Sequence, residues 1–411
     1  MQSTARSSLS DAFVYGNKPR AAPATKSRVH IYPENGGSSG FAPGNTIRLV
    51  VPTGNRGEYL NTRQSYIKFR LNNLATDVND AFAMDSTAHG LFRSLKVSAS
   101  GGAGGGVLEN VEEYNALVQA LIDTSVSETQ LVLGGSIAEG YLQSVNGGAS
   151  RVFCLPLVSG VLGTLQQKYL PVGAMARTHL VLELTLGELN RVQFENVPWS
   201  LSDFEYVAEM IHLDPAVDRA IAEANTQGIV VPFHTYSQHR WIAPSGSGSM
   251  SMSFSSPFRS LKTLMAIFRK DEADYDLARY VSQRANPIGD TGRFQFSVNG
   301  VLTPSKEVSS NAEAYAELQK AFHAFGAVDS HGIINHAGWT QATGKYLIAL
   351  DLESQSHKSA LSQNGVDVST SVSHLMVTFN QQLTTSMTVD VFSHYDSFIM
   401  VGADGLVNVF Y

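Results

Sequence analysis

From Thr46 onward the chain alternates apolar and polar positions with a period of two. Ile47, Leu49 and Val51 occupy every second place. After the turn Gly54-Asn55-Arg56-Gly57 the pattern resumes with Ile67, Phe69 and Leu71, interleaved by Lys68 and Arg70. That period puts successive side chains on opposite faces of a ribbon, so each run predicts a half-buried β-strand. Further strands are predicted over 91–98, 152–157, 178–186 and 203–213. In the second half, Met250, Met252 and Phe254 alternate with serines, strands follow over 261–268 and 293–298, and a hairpin over 397–401 and 406–411 turns at Ala403-Asp404-Gly405.

Two segments change to a helical period. Tyr114, Leu117 and Leu121 share one face, with Glu112, Glu113 and Gln119 falling elsewhere. Tyr315, Leu318 and Phe322 form a second stripe, behind Ser309, Ser310 and Asn311 as candidate caps. These six apolar residues are the predicted anchors that hold each helix on a sheet. A third helix is predicted from Asp214-Pro215, an N-cap followed by a proline in the first turn, with Gly228 placed to end it.

The order of elements repeats. Tyr114 and Tyr315 lie 201 residues apart, as do Leu117 and Leu318, while His179-Leu180-Val181 and His374-Leu375-Met376 open similar strands 195 apart. A nearly constant offset predicts one fold used twice. The expected organisation is an extended arm over residues 1–44, a first β-sandwich over 45–213, a connecting helix over 214–228 and a second sandwich over 229–411. A length of 411 residues agrees with two cores.

Composition sharpens this reading at three points. Hydrophobic residues make up 43% and charged residues 16%, which describes well-buried sandwiches with Gly-rich turns. The net charge of −7 gives no overall basic field for gripping nucleic acid. The arm differs, because Arg6, Lys18, Arg20, Lys26 and Arg28 stand against Asp11 alone in its first thirty residues. One cysteine, Cys154, leaves no disulfide framework and is expected in a core. No apolar run reaches the roughly 18–20 residues that span a bilayer, and the polar start predicts no signal peptide.

Catalytic chemistry finds little support. His234 and His239 are five apart in a predicted strand and so point to opposite faces, and His331 and His336 have no carboxylate cluster nearby. The tract GGAGGG at 101–106 lacks the Lys and Ser/Thr of a phosphate loop and reads as a flexible connection. Asp271, Glu272, Asp274 and Asp276 read as a solvated acidic turn. No catalytic, cofactor or metal site is predicted.

The segments LFRSLKVSASGGAGGGVLENVEEYNALVQALID, FCLPLVSGVLGTLQQKYLPVGAMARTHLVLELTL, FQFSVNGVLTPSKEVSSNAEAYAELQKAF and YDSFIMVGADGLVNVFY, in this order, resemble the double jelly-roll major capsid proteins of icosahedral DNA viruses. The resemblance spans roughly 45 to 411. It implies an all-β fold of two consecutive eight-stranded jelly-roll sandwiches, each with an inserted helix. It also implies a homotrimer that forms a pseudo-hexameric capsomer and tiles a shell, with neighbouring capsomers, penton and minor capsid proteins as partners. The basic arm would then lie on the inner face and contact genome or an internal membrane through Arg6, Lys18, Arg20, Lys26 and Arg28. The implied location is the virion, after synthesis inside the host cell. The competing readings are a glycan-acting enzyme or lectin built on two jelly rolls, and a penton or spike protein. The first would need paired acids or an aromatic platform, but Trp199, Trp241 and Trp339 are scattered.

Overall fold

The computed structural model describes residues 24–411 apart from 36–39, 85, 102–105, 126–137, 142, 189–196, 271–280, 282–283, 323–338, 340–342 and 355–363. In the first half run strands β1 (Ala24–Ile31), β2 (Thr46–Val51), β3 (Glu58–Leu60), β4 (Tyr66–Asn73), β5 (Phe92–Ser100) and β6 (Val107–Val111). They are followed by helix α1 (Tyr114–Ser125) and strands β7 (Ser150–Leu155), β8 (His179–Leu186) and β9 (Trp199–Leu213). Helix α2 (Pro215–Ala224) leads to β10 (Ile229–Ala243), β11 (Ser249–Ser255), β12 (Leu261–Lys270), β13 (Arg293–Val298) and β14 (Val301–Val308). The chain closes with α3 (Asn311–Ala321), β15 (Leu347–Asp351), β16 (Val372–Thr378), β17 (Met387–Val401) and β18 (Val407–Phe410).

The first half forms two sheets, β1-β9-β4-β7 with β3 also on β9, and β2-β8-β5-β6. The second half repeats both orders, as β10-β17-β12-β15 with β18 on β17, and β11-β16-β13-β14. Each half thus has two antiparallel sheets, one of four strands on a path with a fifth beside it and one of four. Apart from the β5-β6, β13-β14 and β17-β18 pairs their neighbours are non-consecutive, which makes each half a jelly roll. Strand for strand, β10 takes the place of β1, β17 of β9 and β14 of β6, and α3 follows β14 as α1 follows β6.

Alternation explains why these sheets face each other. Ile47, Leu49 and Val51 of β2 and Ile67, Phe69 and Leu71 of β4 are all wholly buried, whereas Arg48, Lys68 and Arg70 point outward. Phe69 lies at the centre of the first core, stacked on Phe204 with centroids 5.7 Å apart and edge-on to Phe92 at 5.5 Å. In the second core Met252 and Phe254 turn inward from serine-rich β11 toward Phe294, Phe296, Leu375 and Val377. The β13–β14 connection is Asn299-Gly300, with φ of 54° and 75°, and Val298 pairs Val301 across it. Two positive φ values in a two-residue loop match the right-handed twist of the strands it joins.

Two expectations change. The arm was expected to run to residue 44, but Ala24–Ile31 pair with β9 along their whole length, from Ala24 opposite Leu213 to Ile31 opposite Tyr206. The alternation of this strand is carried by Lys26, Arg28 and His30, whose partners Glu209 and Glu205 are distant in the sequence, so no local apolar period marks it. The connecting helix spans Pro215–Ala224, with Asp214 accepting a hydrogen bond from the Ala216 N–H at 2.8 Å.

Candidate assembly interface

The two jelly rolls meet where β6 packs beside β10. Leu108 and Glu109 are consecutive in β6 and both are 1% exposed. A strand buries two adjacent residues only when both of its faces are covered, here by its own core and by the second jelly roll. Glu109 accepts from the Gly160 N–H at 2.9 Å, the Val161 N–H at 3.4 Å, the Ser159 hydroxyl and, across the joint, the Thr235 hydroxyl of β10. Burial pushes its carboxyl above the ordinary value, and the four donors oppose that push. Gly160 lies against the His234 carbonyl with no space for a Cβ, so the 157–166 loop and β10 are in backbone contact.

Four residues on, Glu113 turns the chain into α1 with a left-handed φ of 49°. Its carboxylate meets Arg240 of β10 at 2.8 Å and Arg269 of β12 at 3.1 Å, and both arginines also pair with Asp390 of β17. Arg269 and Asp390 are wholly buried and Glu113 is 4% exposed at its side chain. Burial alone would raise the Asp390 carboxyl, yet Arg269 and Arg240 hold it below its ordinary value. At the other end of α1, Asp123 binds Arg284 at 2.6 Å and Lys345 at 3.0 Å, again across the joint. The C-terminal strand adds a further tie, in which the Tyr411 hydroxyl donates to the Val107 carbonyl at 2.5 Å.

Helix α1 is therefore buried nearly all round. Tyr114 and Leu117 face their own core, and the Tyr114 hydroxyl accepts from the Val158 N–H at 3.0 Å. Glu113, Gln119 and Asp123, off the apolar face by periodicity, are buried instead of solvated. Leu121 is only partly buried. Helix α3 keeps an exposed side. Leu318 is buried against β15, Tyr315 and Phe322 pack on the core partly buried, and Ser310 caps by accepting from the Glu313 N–H at 3.2 Å.

The outer face of the β1-β9-β4-β7 sheet carries a stripe of charge. Glu209 holds Lys26 at 3.1 Å and Arg28 at 2.8 Å, and Glu205 holds His30 at 2.8 Å and Lys68 at 2.6 Å. Burial raises both carboxyls less than these cations lower them, so both lie below the ordinary value. Lys26 and Arg28 are thus strand residues paired to Glu209, not members of an unpaired arm. Arg6, Lys18 and Arg20 lie outside the described residues, as do His331, His336 and the acidic run 271–276.

Among the described residues no three His, Cys, Asp or Glu side chains gather as metal ligands. His234 and His239 face opposite ways, the first onto His394 at 2.8 Å and the second onto Ser256 at 3.1 Å. A shallow pocket of about 310 Å³ on the second jelly roll has Glu307 as its single acid. Trp199 and Trp339 are buried and Trp241 is exposed, so they form no common platform. Cys154 is half-buried beside Lys68 and Glu205 on the outer face rather than in a core, and burial raises its thiol.

No family model matches the chain, and no curated protein matches it by sequence. Solved structures match it over nearly its whole length. The capsid protein Vp54 of the virus PBCV-1, fitted into a reconstruction of the virophage Sputnik, superposes with a TM-score of 0.66 at 11% identity, covering 97% of this chain and 99% of that one. The Faustovirus major capsid protein gives 0.63 at 8% identity, over 96% and 93%. The mavirus major capsid protein gives 0.52 at 10% identity, over 100% and 95%. The chain has the double jelly-roll fold of these major capsid proteins.

Proposed function

We propose that the chain is a major capsid protein, that three copies close into a pseudo-hexameric capsomer, and that capsomers tile an icosahedral shell in the virion. The observation that carries this reading is the match of both jelly rolls, in order and over nearly the full length of each chain, to capsid proteins of several DNA viruses. The joint supports it physically. A shell block must hold its domains in one orientation, and three buried carboxylates that reach across from the first jelly roll do so here.

A flat block made from two like domains per chain closes under a three-fold axis. Capsomer neighbours, penton and minor capsid proteins would meet its lateral faces. Residues 1–23, with Arg6, Lys18 and Arg20, are proposed to contact genome or an internal membrane by salt-sensitive charge pairing. Light scattering after gel filtration is expected to give three times the 44.4 kDa chain mass. Electron microscopy of concentrated protein should then show hexagonal blocks. A chain that stays monomeric at every concentration overturns the reading.

A further inference from the structure

We infer that strand β1, through its His30-Ile31-Tyr32 end, docks on the β13–β14 hairpin and α3 of a second copy, as β10 docks on β6 and α1 within one chain. This rests on the capsomer reading and names the surfaces that would build it.

The first observation is a repeated segment. Val29-His30-Ile31-Tyr32 and Phe233-His234-Thr235-Tyr236 occupy equivalent places on two edge strands, since Ile31 pairs Tyr206 of β9 and Thr235 pairs Tyr395 of β17. The histidines keep equivalent neighbours as well. His30 bonds Glu205 at 2.8 Å, and His234 bonds His394, the residue before Tyr395, at the same distance. Within the chain the second copy of this segment is covered: Thr235 donates to Glu109, and the His234 backbone meets Gly160. The first copy is open at Tyr32, which is 66% exposed, while Ile31 beside it is buried in its own core and His30 is held by Glu205.

The opposing surface repeats in the same way. Gly106-Val107-Leu108-Glu109 opens β6, and Gly300-Val301-Leu302-Thr303 opens β14. Leu108 is 1% exposed beneath β10, but its counterpart Leu302 is 48% exposed and the adjacent Val301 62%. Each chain thus buries one copy of each surface against the other and leaves Tyr32 of one remaining copy and Val301 and Leu302 of the other exposed. Such a pair is complementary head to tail, and a ring uses every free surface.

The outer joint lacks the inner joint's lock. Thr303 stands where β6 has Glu109, pairing Phe296 as Glu109 pairs Val97, and Ser310 precedes α3 where Glu113 precedes α1. With no counterpart of Glu109 or Glu113 on the hairpin, and with Glu205 already paired to His30 and Lys68 within its own chain, the contact between copies adds no new buried ion pair. It should separate on dilution while each chain remains folded.

The test uses the full chain and two variants, Tyr32→Asp and Leu302→Asp. Each side chain is exposed, so thermal melts of the separated chains should match the parent. Val301→Lys replaces Leu302→Asp if that variant misfolds. Each variant alone should raise the concentration for half-association at least tenfold. Mixed one to one, they retain a single intact pair of surfaces and should form a dimer of twice 44.4 kDa and nothing larger. Variants that associate like the parent overturn this inference and leave the capsomer reading standing, as does a mixture with no dimer. A parent chain that never associates removes the reading itself.

Discussion

Glu113→Gln tests the joint at its buried charge cluster. Glu113 and Asp390 balance Arg240 and Arg269, so removing one carboxylate leaves a net positive charge around an arginine that is 0% exposed. Breaking one member out of a buried pair typically costs about 3–5 kcal/mol. Arg240 is 30% exposed and can shift toward water, and Arg93 stands 3.7 Å from the same carboxylate, so the expectation is about 3 kcal/mol by the same principle. Gln keeps the side-chain length and tolerates the left-handed backbone no worse than Glu. The decisive companion is Glu113→Met with Arg269→Met, which removes one charge of each sign and fills the space. That double variant should recover most of the loss, because a well-packed apolar pair often equals or exceeds a buried ion pair. Urea denaturation with separate probes on Trp199 and Trp339, one buried in each jelly roll, should show the single variant unfolding in two steps. A loss below about 1 kcal/mol, or a double variant as unstable as the sum of its singles, would mean that the cluster is solvated and the joint rests elsewhere.

Burial lowers His89 and His234 to about 4 from 6.5. The unfolded chain therefore takes up protons first as pH falls, and stability should decline between about pH 6.5 and 4. His89 alone accounts for about 3 kcal/mol. Glu109, raised by burial, opposes this by favouring the folded state toward acid, so the readout is the slope of stability against pH, which His89→Gln should reduce by one proton. Phe69→Ala should cost about 3–5 kcal/mol in a thermal or urea melt, whereas Phe322→Ala, only partly buried at the end of α3, should cost clearly less. Equal losses would contradict the packing described. Deleting residues 2–20 removes Arg6, Lys18 and Arg20 but spares β1; trimer yield should be unchanged while particle yield at moderate salt falls. Unchanged particles would deny the arm a role in assembly.

The strands that alternate cleanly, β2, β4 and β11, were legible because one face is apolar and the other polar, which is a local property. The duplicated helix was legible because Tyr114 and Tyr315 keep their spacing. β1 was not, since its outward cations are balanced by Glu205 and Glu209, which only the fold brings near. Only the later part of β9 was read, from residue 203, because it begins as Trp199-Ser200-Leu201-Ser202 and is interrupted by a bulge. The joint was the least legible part. Glu109 and Glu113 sit among apolar residues as if at turns, and their partners Thr235, Arg240, Arg269 and Asp390 lie more than a hundred residues on. Arg269 near the end of the apolar run LKTLMAIFRK was the one available hint, a charged side chain that continues a stretch of core-type residues.

Linking two jelly rolls through a locked joint also changes how assembly responds to dilution. Six separate domains would form a ring in proportion to the sixth power of their free concentration, whereas three chains with the inner contacts already made require only the third. Tethering turns every second contact into an intramolecular event at high effective concentration. A tenfold dilution that would deplete a six-piece ring about a millionfold, at a fixed equilibrium constant, depletes a three-piece ring about a thousandfold. The peptide link through α2 thereby sets the concentration exponent of the proposed ring, and the charge cluster at Glu113 holds the two linked domains in the one orientation in which that link is useful.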